Sequence, residues 1–107
     1  MTKPAPGYWI ARVDVADEAA YSRYRALNSV AFAKFGGCFL VRGPADAVPK
    51  GTARKHNVIV QFASLDVAKA CYASPEYQAA LVELDKVGQV DLVIIGSYAG
   101  QQPGEQG

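Results

Sequence analysis

The stretch from Tyr8 to Gly43, YWIARVDVADEAAYSRYRALNSVAFAKFGGCFLVRG, runs from strand to helix and back to strand, and its reading decides the fold. YWIARVDV is rich in β-branched and aromatic residues, and its polar members Arg12 and Asp14 fall at alternate positions, so a strand is expected over Tyr8–Val15. Trp9, Ala11, Val13 and Val15 then share one side of it. Asp17 stands where a helix N-cap is wanted, with Glu18 in the first turn to complement the helix dipole. Ala20, Tyr24, Leu27, Ala31 and Phe35 follow in steps of three and four, which predicts one buried helical stripe. Gly36 and Gly37 end the helix, because glycine takes the left-handed conformation of a C-cap without strain. Cys38–Arg42 reads as the second strand.

The remainder repeats that order without repeating the sequence. Gly43–Lys55, GPADAVPKGTARK, is a solvated connection by its prolines, glycines and charges. HNVIVQF, His56–Phe62, is the third strand, and Ser64 caps a short helix reaching about Ala73. Ser74, Pro75 and Glu76 supply an N-cap, a proline at the first helical position and an early acid, so another helix starts there and runs to about Val87. Val90–Tyr98, VDLVIIGSY, is the fourth strand, apolar enough to be covered on both faces. Residues 8–98 thus form one domain, preceded by a proline-rich arm at 1–7 and followed by a tail at 99–107 expected to be flexible.

Strand-helix-strand twice over gives an α+β fold of the ferredoxin-like βαββαβ kind, with a four-stranded antiparallel sheet and helices on one face. The other face would then be bare. Strands two to four carry apolar residues on both sides, and a chain of 107 residues has no spare element to cover them. Sheet-to-sheet homodimerisation into an α/β barrel is the expected solution. The formal charge is +1, with acids and bases interspersed, which disfavours nucleic acid and anionic membranes as partners. No apolar run approaches a bilayer span, and a cytoplasmic location is expected. Cys38 and Cys71, without metal-ligand spacing, read as core thiols.

The opening GYWIARVDV, the segment FAKFGGCFLVRG and the phrase CYASPEYQAAL together resemble the bacterial family of unknown function numbered 1330, within the dimeric α/β-barrel superfamily. The resemblance covers Gly7 to Tyr98. It implies the same fold and dimer, and a cavity between sheet and helices that relatives in the superfamily use for small, often aromatic molecules. It implies no activity. Two positions depart from the family pattern: Gln61 stands where an acid is frequent, and Cys71 where an aromatic residue often precedes the tyrosine.

A β2–β3 type hairpin that pairs Arg42 with His56 would also set Leu40 opposite Val58 and Cys38 opposite Val60, and directly opposed residues share a face. His56 and Arg42 are therefore the candidate catalytic pair: a cation for a carboxylate or enolate beside an imidazole that exchanges protons near neutrality. The competing reading is a solvated strand end. Tyr24, Asn28, Phe32, Tyr72 and Tyr77 are candidate ligand-binding residues. Asn28 could orient a ligand carbonyl or bond nearby backbone, and the tyrosines could line a pocket or fill the core. The chain contains no glycine-rich phosphate loop, no GxSxG, no HExxH and no paired histidines, so neither metal nor cofactor is expected. Three functions remain: a cofactor-independent enzyme working by proton transfer on an apolar or aromatic molecule, a metabolite-binding or stress-related module, and a purely structural dimer.

Overall fold

A computed structural model describes residues 5–105. The elements follow the order β1 (Gly7–Val15), α1 (Glu18–Phe35), β2 (Cys38–Gly43), β3 (His56–Phe62), α2 (Leu65–Ala73), α3 (Pro75–Leu84) and β4 (Gly88–Gly96). The strands form one sheet in the order β2-β3-β1-β4, antiparallel at every pairing. This is the ferredoxin-like βαββαβ fold, with α2 and α3 together filling the second helical position. Residues 1–4 of the expected arm and 106–107 of the expected tail lie outside the described residues.

Local signals set the helix ends. The Asp17 carboxylate accepts from Ala20 N at 3.0 Å, and Gly36 closes α1 at φ 71°, in the left-handed region. Ser74 joins α2 to α3. Its Oγ donates to Cys71 O (2.6 Å) and accepts from Tyr77 N (3.1 Å), so one buried hydroxyl satisfies groups on both helices. Helix α3 ends at Leu84, short of Val87, although Val87 remains fully buried. At the other end of the sheet, Gly7 lets β1 pass so close to α2 that a Cβ there would meet Leu65 Cα at 2.6 Å.

The core lies between the sheet and the helices. Trp9 is at its centre, only 2% exposed, with its ring centroid 4.7 Å from Tyr77, 5.2 Å from Phe32 and 5.5 Å from Phe62. Its Nε1 donates to Ala68 O at 2.8 Å. The stripe of α1 is rotated from the expected one: Asn28 is buried, whereas Leu27 faces outward. Rows of three- and four-residue steps pass through both positions, and the deciding neighbours, Tyr24 and Phe32, lie four residues either side of Asn28.

Two further expectations are corrected by the sheet register. A bulge at Leu40 places Phe39 opposite Val60 and Arg42 opposite Val58, while His56 pairs with Val13 of β1. Arg42 and His56 are therefore not directly opposed, although both lie on the helix-covered face. Cys38 pairs with Gln61 on the opposite face and is exposed, unlike the buried Cys71.

That second face carries the row Cys38–Gln61–Tyr8–Ile95, apolar except for Gln61, and the wholly apolar row Val41–Ile59–Ile10–Val93, followed by the polar row Asn57–Arg12–Asp91. Val93, Ile95 and Val41 are each about half exposed. At the polar end, Arg54 of the β2–β3 connection reaches across to β1 and β4. It donates to Asp91 (2.8 Å), Asp14 (3.0 Å) and Gln89 (2.9 Å), and Lys55 N donates to Asp14 at 2.8 Å. These bonds hold the Asp14 carboxyl below the usual carboxylate range, the Lys55 backbone N–H contributing most. The connection expected to be merely solvated is thus tied down at its end. Among the described residues, no helix is long and apolar enough to cross a membrane.

Candidate functional site

Between α1 and the sheet, the row Arg42–Val58–Ala11–Leu92 carries one very small side chain, Ala11, between the larger Trp9 and Val13 on the same strand. A cleft opens there. Trp9, Ala11, Val58 and Leu92 form its floor, and Tyr21, Tyr24, Asn28 and Phe32 descend from α1 to form a wall. Phe39 and Arg42 of β2 border it, with Arg25 above, and Tyr77 and Leu84 come from α3. Its empty volume is about 550 Å³ with the part open to solvent included.

The polar groups are few and placed by the helix period. Tyr21, Tyr24, Arg25 and Asn28 stand at i, i+3, i+4 and i+7, which brings them to one side of α1. The Tyr24 and Tyr77 hydroxyls are 2.8 Å apart in a hydrogen bond. Burial raises both above the ordinary tyrosine range; at Tyr24 the neighbouring Asn28 and Tyr77 side chains work against that rise. Both therefore stay protonated near neutrality and act as hydrogen-bond donors or acceptors, not as bases. Burial also pushes the Cys71 thiol up to about 11, in keeping with an inert core residue.

Raised values in three core acids have a consequence for stability. Each keeps its proton in the folded chain at a pH where the unfolded chain would lose it, so the contribution is intact below about pH 9 and is lost progressively as pH rises. The urea midpoint is expected to fall between about pH 9 and pH 11. A flat profile over that interval would contradict the burial of these groups.

Of the candidate residues, the cleft brings together Arg42, Tyr24, Asn28, Phe32 and Tyr77. His56 is set back behind Tyr21, with ring centroids 5.0 Å apart. Tyr72 lies on the far side of the Trp9–Tyr77 contact, 5.9 Å from the former and 5.4 Å from the latter. Tyr21 and Arg25 were not singled out by the sequence, although their spacing from Tyr24 and Asn28 is the signal that would find them. Among the described residues, no group of three or more histidine, cysteine or acidic side chains gathers as metal ligands.

The model of a domain of unknown function, DUF1330, matches residues 6–98. The chain belongs to the DUF1330 family. Among solved structures, this DUF1330 chain is similar to a protein of unknown function from Rhodopseudomonas palustris, at 18% identity and TM-score 0.69, covering 92% of this chain and 86% of that one. It is similar to SnoaB, a cofactor-independent oxygenase from Streptomyces nogalater, at 17% identity and TM-score 0.63, covering 94% and 99%. A dimeric protein of unknown function and ferredoxin-like fold from Bacteroides fragilis is 14% identical with TM-score 0.58, covering 90% and 100%. At such identities the similarity establishes a shared fold. No curated protein matches this DUF1330 chain.

Proposed function

We propose that this chain is a cytoplasmic, small-molecule-binding homodimer whose subunits meet through their open sheet faces, and that each cleft holds a small apolar or aromatic molecule without a bound cofactor. The observation that carries the reading is the cleft itself: apolar walls, a floor left vacant by Ala11, and a small set of convergent polar groups, which is the usual make-up of ligand sites. The half-exposed apolar rows of the second face support the dimer, as does the dimeric ferredoxin-like neighbour.

In its enzymatic form, Asn28 and Tyr24 donate hydrogen bonds to a substrate oxygen on which negative charge grows while the His56 imidazole takes up the proton released by a neighbouring C–H. The cofactor-independent oxygenase of the same fold supports chemistry that needs only protein groups and substrate. The placement of His56 behind Tyr21, together with two tyrosines that keep their protons, favours a second form: binding without turnover. Proton exchange at an acidic C–H of a bound compound, followed in deuterium oxide with the wild type and His56→Ala, separates them. Exchange that depends on His56 supports the enzyme; binding with no exchange supports the carrier.

A thermal-shift screen of small aromatic and aliphatic compounds tests binding itself. A ligand at a hundred times its Kd adds about 2.7 kcal/mol to stability. Ala11→Leu is expected to fill the floor and abolish the shift while changing the stability of the free protein by roughly 1 kcal/mol. A screen in which no compound raises the wild-type Tm, or in which Ala11→Leu responds like the wild type, would remove the reading.

A further inference from the structure

We propose that the cleft selects organic anions, taking a molecule with a ring-sized apolar body and a carboxylate that Arg25 and Arg42 grip at the mouth. The proposal rests on the binding reading above and narrows it to one chemical class.

Two arginines approach the same opening from different elements, Arg25 from α1 and Arg42 from β2, and no acidic residue lines the cleft. Neither guanidinium forms an ion pair among the described residues, whereas Arg23 is engaged by Glu83 and Arg54 by Asp14 and Asp91. Each cleft arginine instead leans on an aromatic face: Arg25 lies 5.9 Å from the Tyr21 centroid and Arg42 lies 4.8 Å from that of Phe39. Stacking of this kind fixes the plane of a guanidinium and leaves its N–H donors free for a planar, two-oxygen partner. Carboxylate is the group whose geometry fits that fork.

The bulge at Leu40 is a second, independent indication. In an unbroken strand Phe39 and Val41 would face the helices together, and Arg42 would point to the opposite side. The extra residue reverses the alternation, so Phe39 and Arg42 both fall on the cleft face, opposite Val60 and Val58, and Val41 goes to the open face. Bulges that re-aim one side chain are common beside binding sites. Deeper in the cleft, Asn28 and Tyr24 offer hydrogen bonds to a second oxygen of the ligand, while Phe32, Val58 and Leu92 enclose its carbon body.

Trp9 is the only tryptophan and lines the cleft, so its fluorescence reports occupancy. The full chain is titrated with phenylacetate and with its neutral isostere phenylacetamide. Phenylacetate is expected to bind at least about tenfold more tightly, and Arg25→Gln or Arg42→Gln to remove most of that preference without altering the amide's affinity. Raising sodium chloride from about 10 mM to about 500 mM should weaken the acid only. Equal affinities for acid and amide would overturn anion selection while leaving the binding reading intact. Failure of phenylacetate in a protein that binds neutral compounds in the thermal-shift screen would do the same; a blank in both experiments would remove both readings.

Discussion

Trp9→Ala is expected to destabilise the chain by about 3–5 kcal/mol, the range for emptying a large aromatic site in a core. The indole contacts Phe32, Phe62, Tyr72 and Tyr77, and its N–H bonds the Ala68 carbonyl of α2. Alanine would remove the contacts that the indole makes with all three helices at once. One edge of the ring borders the cleft, so water can enter part of the vacated space, which favours the lower half of the range. For a chain of this size each kcal/mol moves Tm by roughly 4 °C, giving a fall of roughly 12–20 °C. Trp9→Phe keeps most of the packing and forfeits the hydrogen bond, for about 1–2 kcal/mol. Differential scanning calorimetry reads both, and a change near zero for alanine would show that the ring is not buried.

Ile10→Asp is expected to separate the proposed dimer while leaving the protomer folded. Ile10 lies on the central strand in the row Val41–Ile59–Ile10–Val93, the middle of the open face. In a two-fold dimer each substitution occurs on both sides of the interface. Burying an unpaired carboxylate costs several kcal/mol, and about 4 kcal/mol corresponds to a thousandfold rise in Kd. In a lone protomer the same carboxylate would stand at a partly solvated surface, so far-ultraviolet circular dichroism should be retained. A variant that keeps its mass and its Kd would show that the dimer contact lies elsewhere.

Much of this architecture is written in local signals. The caps at Asp17, Ser64 and Ser74 and the stop at Gly36 each act within a few residues, so they are visible in sequence and present in the structure. The third strand begins and ends where its composition says. The misreadings arise where two patterns give the same appearance. CFLV is apolar throughout, so neither its register, one residue off already at Cys38–Gln61, nor the bulge at Leu40 shows as a break in alternation, and the expected Arg42–His56 pairing fails. Leu27 and Asn28 both fit helical steps, and tertiary packing chose the polar one because it borders a cleft rather than solid core. Within its own loop Arg54 is one charge among several; its three side-chain partners come from β1 and β4, far away in sequence. The cleft likewise depends on Ala11 lying beside Val58 and Leu92, a juxtaposition that exists only once the strands are paired.

The same pairing separates two roles across one sheet. Its helix-covered side holds the cleft with Arg25 and Arg42, unpaired among the described residues, and its open side offers apolar rows bounded by the Arg54 network. A second copy of the chain would cover that open side. Sedimentation equilibrium at micromolar concentration tests this most directly. The account predicts a particle of twice the 11.4 kDa chain mass; a single species at 11.4 kDa would contradict it.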